Sequence, residues 1–132
     1  MSSSAPPAQA TVFTVDTLLH YMGNDARALA TVAKIVQDGI APGTAQLALA
    51  AAAIDGGRYP EARAVLHGLR GSIGTLGAQR FVTAALALEQ AMAEQRDADV
   101  APLFHTVKTE LDALLAAARG WLAQDAVQAT LG

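Results

Sequence analysis

The chain contains no cysteine, few aromatic residues and no block of basic residues. The absence of cysteine excludes disulfide bonds, thiol catalysis and cysteine-ligated metal sites. The net charge is −3, and the Lys and Arg residues are scattered along the 132 residues. They provide no basic surface of the kind that neutralises phosphates along a nucleic acid, so we expect no nucleic-acid binding.

Long apolar runs are also missing. A membrane-spanning helix needs about 18 uninterrupted apolar residues, whereas the longest candidate, residues 47–54, is short and is followed by Asp55, Gly56 and Gly57. The N-terminus lacks the basic start and apolar run of a signal peptide. We therefore expect a soluble, cytoplasmic protein with no direct membrane insertion.

The composition favours helices. Hydrophobic residues make up 52% of the chain and aromatic residues only 5%, so most of the apolar mass is Ala, Leu and Val. Ala and Leu are strong helix formers, and the length suits one domain. Residues 1–10 are rich in Ser, Ala and Pro and predict a disordered tail or linker. We expect a helical bundle over residues 11–125 and a C-terminal tail over 126–132.

Hydrophobic spacing predicts an antiparallel four-helix bundle with an additional short N-terminal helix, because long amphipathic segments alternate with short connections. The predicted segments are 14–22, about 25–54, 60–76, 78–95 and 100–124. Pro42 interrupts the second long segment. Since proline lacks an N–H and crowds the preceding turn, we expect either a kinked helix or two helices meeting there.

The segment 60–76 has one apolar stripe and one unusual outer face. At 100° per residue, the stripe comprises Ala62, Val65, Leu66, Leu69, Ile73 and Leu76. His67 points about 140° away from the centre of this stripe, toward solvent. Ala64, Gly71 and Gly74 share the outer face with His67, and Arg63 and Arg70 flank it on one side.

Three glycines inside this predicted helix weaken it. Gly68, Gly71 and Gly74 each cost about 0.8–1 kcal/mol relative to Ala. Such a loss makes sense if missing side chains let another molecule approach His67. The alternative is that Gly71 and Gly74 permit close packing of two helices of the bundle.

The stretch His67-Gly68-Leu69-Arg70-Gly71-Ser72-Ile73-Gly74-Thr75-Leu76-Gly77-Ala78 resembles the signature of histidine-containing phosphotransfer (HPt) domains, His-x-Leu-Lys/Arg-Gly-Ser/Ala-x-x-x-Leu-Gly-Ala. The pair Leu88-Glu89 resembles the continuation of that pattern, and the helical layout is similar from about residue 13 to 124. Arg70 replaces the more frequent Lys and preserves its charge. Gly68 is unusually small for its position.

The resemblance implies that His67 accepts a phosphoryl group from a receiver-domain aspartate and transfers it to another receiver. From their positions on the helix we expect Arg63, Arg70, Gly71, Gly74 and Ala64 to stabilise the phosphate or to dock the partner, and the two guanidiniums could pair with the phosphoryl oxygens. Expected partners are response-regulator receiver domains and a hybrid sensor histidine kinase, of which this chain is either a separate partner or a C-terminal module. We expect a monomer.

We expect a carrier and not an enzyme, since no Walker motif or kinase glycine-rich loop is present to bind ATP. No cofactor or metal site is expected on this chain, and Mg²⁺ would come with the receiver. The isolated residues His20 and His105 are expected to be structural or surface residues. An alternative function is a phosphorylation-independent helical adaptor that docks a receiver or kinase.

Overall fold

The computed structural model describes residues 10–131, and this part of the chain forms seven α-helices and no β-strand. The helices are α1 (Asp16–Met22), α2 (Ala26–Ile40), α3 (Gly43–Asp55), α4 (Tyr59–Gly74), α5 (Gln79–Ala93), α6 (Asp97–Leu122) and α7 (Asp125–Leu131). The all-α prediction is confirmed. None of these helices is both long and apolar enough to cross a membrane. The tail predicted at 1–10 lies outside the described residues, apart from Ala10.

Helices α3 to α6 pack as an antiparallel bundle, because connections of only three or four residues reverse the chain between them. Small side chains let the helices approach closely: Ala50, Ala53, Ala62, Ala85 and Ala91 are all fully buried. Larger side chains fill the space between these alanines. The largest fully buried ones in the bundle are Phe81, Leu66, Ile73, Leu88, Met92, Leu111, Leu114 and Val107.

The helix is interrupted at Pro42, so two helices meet there, as in the second of the two predicted alternatives. Helix α2 ends at Ile40, and the carbonyl of Pro42 accepts the first hydrogen bond of α3 from Gln46 N at 2.9 Å. Gly43, the first residue of α3, is buried, and a Cβ there would make an ordinary contact with the Leu111 side chain on α6 at 3.4 Å. The break therefore starts α3 at a point where it packs against α6.

An extended segment before α1 fastens the turn between α4 and α5. Thr14 N donates to Leu76 O at 2.9 Å, and Arg80 N donates to Thr11 O at 3.0 Å. Gly77, in the turn itself, has φ +66°, and a Cβ there would strike Thr14. Glycine is required at this position both for its backbone conformation and for the close approach of the segment.

A smaller apolar cluster at one end of the bundle is built by α1 and the segment before it, by α2, by the turn after α4 and by the end of α6. Its buried members are Val15, Val32, Val36, Leu76 and Ala118. The rings of Phe13 and Trp121 pack beside it with centroids 6.2 Å apart.

Two predicted boundaries are corrected. Residues 126–131, expected to be tail, belong to α7, which packs on α2 and buries Val127. Helix α6 begins at Asp97 and not at Val100, because carboxylates are favourable beside the free N–H groups of a first turn. The Tyr59 hydroxyl donates to Asp97 Oδ1 at 3.0 Å, which ties α4 to α6 and raises the pKa of Tyr59.

Candidate functional site

His67 lies in the ninth position of the sixteen-residue helix α4 and is exposed. The next residue toward the N-terminus, Leu66, is fully buried, and Leu69 is only 2% exposed. Helical geometry thus fixes the outward direction of His67, because its neighbours on the apolar stripe are anchored in the core. The predicted stripe is confirmed, with Val65 half-buried at its edge.

The surface around His67 is open. A Cβ added to Gly68 or Gly71 would meet no atom within 4 Å, and one added to Gly74 would make only an ordinary contact with Val82 at 3.8 Å. Ala64, one turn before His67, is also exposed. The helix-packing alternative is therefore wrong for Gly71, which faces no other helix of the described chain. The missing side chains leave room for a partner.

Arg70 connects His67 to the neighbouring helix. Its Nη2 lies 2.8 Å from His67 Nδ1 and donates to Glu89 Oε1 at 3.1 Å, while its Nε donates to Glu89 Oε2 at 2.6 Å. The side chains of Arg70 and Glu89 are only 20% and 13% exposed. The hydrogen bonds that Arg70 donates to Glu89 raise the pKa of Arg70 above its ordinary value, so the guanidinium stays charged.

The two arginines predicted to flank His67 have different surroundings. Arg70 is already held by a carboxylate, in the two-pronged geometry that makes an arginine pair strong. Arg63 is exposed and forms no ion pair with any residue between 10 and 131. Arg63 is thus the cation at this surface that a new anionic group meets without breaking an existing ion pair.

A groove of about 540 Å³ lies beside the site, between α4 and α5. Arg70 and Gly74 form one wall, and Val82 and Thr83 form the other. Leu86 lies one turn beyond Val82 on α5 and is 47% exposed. The surface next to His67 therefore offers a partner both the guanidinium of Arg70 and the apolar side chains of Val82 and Leu86.

The other two histidines have no such surroundings. His20 lies on α1 and His105 on α6, and both are exposed. Among the described residues, no three His, Asp or Glu side chains are grouped closely enough to hold a metal ion.

Sequence reasoning missed the role of Glu89. The sequence places it in the pair Leu88-Glu89 but does not by itself assign it to the site. Its spacing from Arg70, 19 residues across a helix–turn–helix, would have been the signal, since antiparallel neighbours of this length bring such positions opposite each other. The outer residues of α5, Val82, Thr83 and Leu86, carried no signal beyond being apolar or small.

The fold and the site together define a small helical bundle that presents one histidine on an open surface, with an arginine held against its ring. A family model described as "Hpt domain" matches residues 34–120, which include the main part of the bundle and His67. The chain belongs to the Hpt domain family, and its role is phosphotransfer in two-component signalling. No curated protein and no solved structure matches the chain.

Hpt domains are phosphoryl carriers and not catalytic enzymes, and they interact with the receiver domains of two-component systems. The matched range omits α1, the first part of α2 and all of α7. It includes α3, α4, α5 and nearly all of α6, so the part of the bundle around His67 is the part that the family shares.

Proposed function

We propose that this protein is a phosphorelay intermediate in which His67 accepts a phosphoryl group from a receiver-domain aspartate and transfers it to another receiver. The observation that carries the proposal is the exposed imidazole of His67 on a helix face where Gly68 and Gly71 leave open space. In-line transfer requires the donor's phosphorus to come within bonding range of a ring nitrogen. An open face of this kind permits that approach.

The residues around His67 suit a group that is held only for a short time. Arg63 is available to pair with phosphoryl oxygens, and Arg70 lies close enough to reach them. Gly71, Gly74 and Ala64 form the docking surface, extended on α5 by Val82 and Leu86. The phosphoryl group on His67 would stay accessible to a second receiver.

Phosphoryl transfer depends mainly on positioning and on charge neutralisation by Mg²⁺. We propose that the receiver supplies both the acceptor aspartate and the Mg²⁺. In support, the carboxylate of the site, Glu89, has both oxygens engaged by Arg70. The chain itself then acts as a carrier without an ATP site.

The proposed partners are response-regulator receiver domains and a hybrid sensor histidine kinase. The phosphorelay step would be performed by a monomer, since one chain supplies every residue of the site described above. Hpt domains are generally cytoplasmic, and we propose the same location here.

The test is transfer of label from a phosphorylated receiver in the presence of Mg²⁺. We expect acid-labile, base-stable label on the wild type and none on His67→Gln. The matched control is His105→Gln, which removes an exposed histidine from α6 and should be labelled like the wild type. Label on His67→Gln would refute the assignment. Binding of receivers without label on any variant would favour the adaptor function.

A further inference from the structure

The contact between Arg70 and His67 fixes the position of the imidazole proton. A guanidinium has five N–H donors and no acceptor. Since Arg70 Nη2 lies 2.8 Å from His67 Nδ1, Nδ1 must accept that hydrogen bond with its lone pair. A neutral imidazole carries one proton, and here it must reside on Nε2. An imidazolium would place two donors face to face, so the observed contact belongs to the neutral ring.

In this arrangement neither nitrogen of His67 has a free lone pair. The lone pair of Nδ1 is bound to Arg70, and Nε2 carries a proton, which makes it a donor and not a nucleophile. Attack on phosphorus needs an available lone pair. A partner can therefore reach His67, but neither ring nitrogen has a lone pair available to attack phosphorus.

Glu89 is what keeps Arg70 in place. Both of its oxygens accept from Arg70, at 2.6 and 3.1 Å, from a position on α5 that is only 13% exposed. Nη2 is shared, because it contacts both Glu89 Oε1 and His67 Nδ1. An incoming phosphoryl group brings three strong acceptor oxygens and about 1.5 to 2 negative charges, so it competes for this same atom.

Building on the proposed function, we propose that Arg70 is a positioning residue that gates His67. Held by Glu89, it keeps the resting ring in the Nε2–H form. When a phosphorylated receiver docks, a phosphoryl oxygen replaces His67 Nδ1 as the acceptor of the hydrogen bond from Arg70 Nη2. The ring then changes tautomer: Nε2 loses its proton to solvent, and Nδ1 takes up a proton from solvent. The Nε2 lone pair then forms the N–P bond, the P–O bond to aspartate breaks, and the aspartate leaves as a carboxylate.

The gate predicts that His67 is protected from an electrophile that carries no negative charge. Diethyl pyrocarbonate is a suitable probe, since it acylates neutral imidazoles through a free lone pair and has no anionic oxygen that would draw Arg70 away. His20 and His105 are exposed in the same molecule and serve as internal references. The extent of reaction at each histidine is measured by peptide mapping and mass spectrometry.

We expect wild-type His67 to react about tenfold more slowly than His20 and His105, the factor that corresponds to about 1.4 kcal/mol for one charge-assisted hydrogen bond. Arg70→Ala should bring His67 to the rate of the references, and Glu89→Gln should give an intermediate rate because it loosens Arg70 without removing it. Arg70→Lys keeps the charge and should restore part of the protection.

The matched control is Arg80→Ala. Arg80 forms a second interhelical pair, Nη2 to Glu110 Oε2 at 2.9 Å, so its loss removes an Arg–Glu pair elsewhere in the bundle. It should leave the reaction of His67 slow. Circular dichroism verifies that each variant is folded.

In the receiver assay, Arg70→Ala should have the opposite effect to its effect on the reaction with diethyl pyrocarbonate. Arg70→Ala should transfer phosphate more slowly, although its His67 reacts faster with the uncharged probe, and a general loss of structure does not produce this pair of results. The gate is refuted if wild-type His67 reacts as fast as His20 and His105, or if Arg70→Ala leaves its rate unchanged. Failure of the proposed function is separate, since it shows as absent receiver label while the probe still reports protection.

Discussion

Replacement of the glycines beside His67 by alanine should stabilise the protein and slow phosphoryl transfer to His67. Gly68 and Gly71 lie inside α4, and a Cβ at either position would meet open space. Alanine in a helix interior is favoured over glycine by about 0.8–1 kcal/mol. No clash offsets this gain, so Gly68→Ala and Gly71→Ala should each raise the free energy of unfolding by about that amount.

The expected change in melting temperature follows from the chain length. An unfolding entropy of about 2.1 cal/mol/K per residue gives about 0.28 kcal/mol/K for this chain, so each substitution should raise Tm by about 3 °C. Thermal unfolding followed by circular dichroism at 222 nm measures the change. The double variant should show nearly the sum.

The matched control is Gly39→Ala. Gly39 is the second-last residue of α2, and its Cβ would be 3.3 Å from the Leu76 side chain. The gain in helix propensity is opposed there by crowding and reduced by the nearby helix end, so the increase in Tm should be smaller or absent. Equal stabilisation at Gly39 and Gly71 would show that the open space around α4 does not explain the result.

The functional half of the prediction concerns Gly71. Its new methyl group would stand one turn from His67 on the proposed docking surface, so label transfer from a receiver should be slower than in the wild type. Unchanged transfer by a stabilised Gly71→Ala variant would refute the argument that the missing side chain provides access.

Two further predictions concern contacts away from His67. Asp25 Oδ1 accepts from Ala28 N at 2.8 Å as the N-cap of α2, so Asp25→Ala should lower the free energy of unfolding by about 1 kcal/mol, while Asp25→Asn should be nearly neutral in urea titrations. The hydrogen bond to Asp97 raises the pKa of Tyr59 above its ordinary value of 10.0. Its stabilising effect is therefore complete below pH 10 and lost as pH rises through the folded-state pKa. Wild type should be more stable than Tyr59→Phe at pH 7, and this advantage should disappear at strongly alkaline pH; a constant difference would contradict the assignment.

The sequence was sufficient to predict the helical class and the exposure of His67, because both depend on periodicity within one segment. Leu66 and Leu69 lie on the apolar stripe, and when this stripe faces the core, His67 must face solvent. The predicted tail at 126–131 failed for a different reason. A seven-residue helix has little intrinsic stability, so α7 depends on packing against α2, a contact that no local pattern reveals.

The same distinction applies to the site. That Arg63 and Arg70 flank His67 follows from helical geometry, and the sequence predicts it. Which of the two is held by a carboxylate depends on where α5 lies relative to α4. The pairing of Arg70 with Glu89 could therefore be found only when both helices were in place.

The position of His67 in the middle of α4 affects how long a phosphoryl group would remain there. The partial positive charge of a helix acts within its first turn, and backbone N–H groups are free to bind an anion only at that end. His67 is eight residues from the start of α4, so its main chain has no donor to offer. Any retention must come from side chains such as Arg63, which move easily in solvent. A mid-helix histidine thus suits brief occupancy, and the lifetime of the phosphorylated state should depend on the supply of receivers more than on storage by this protein.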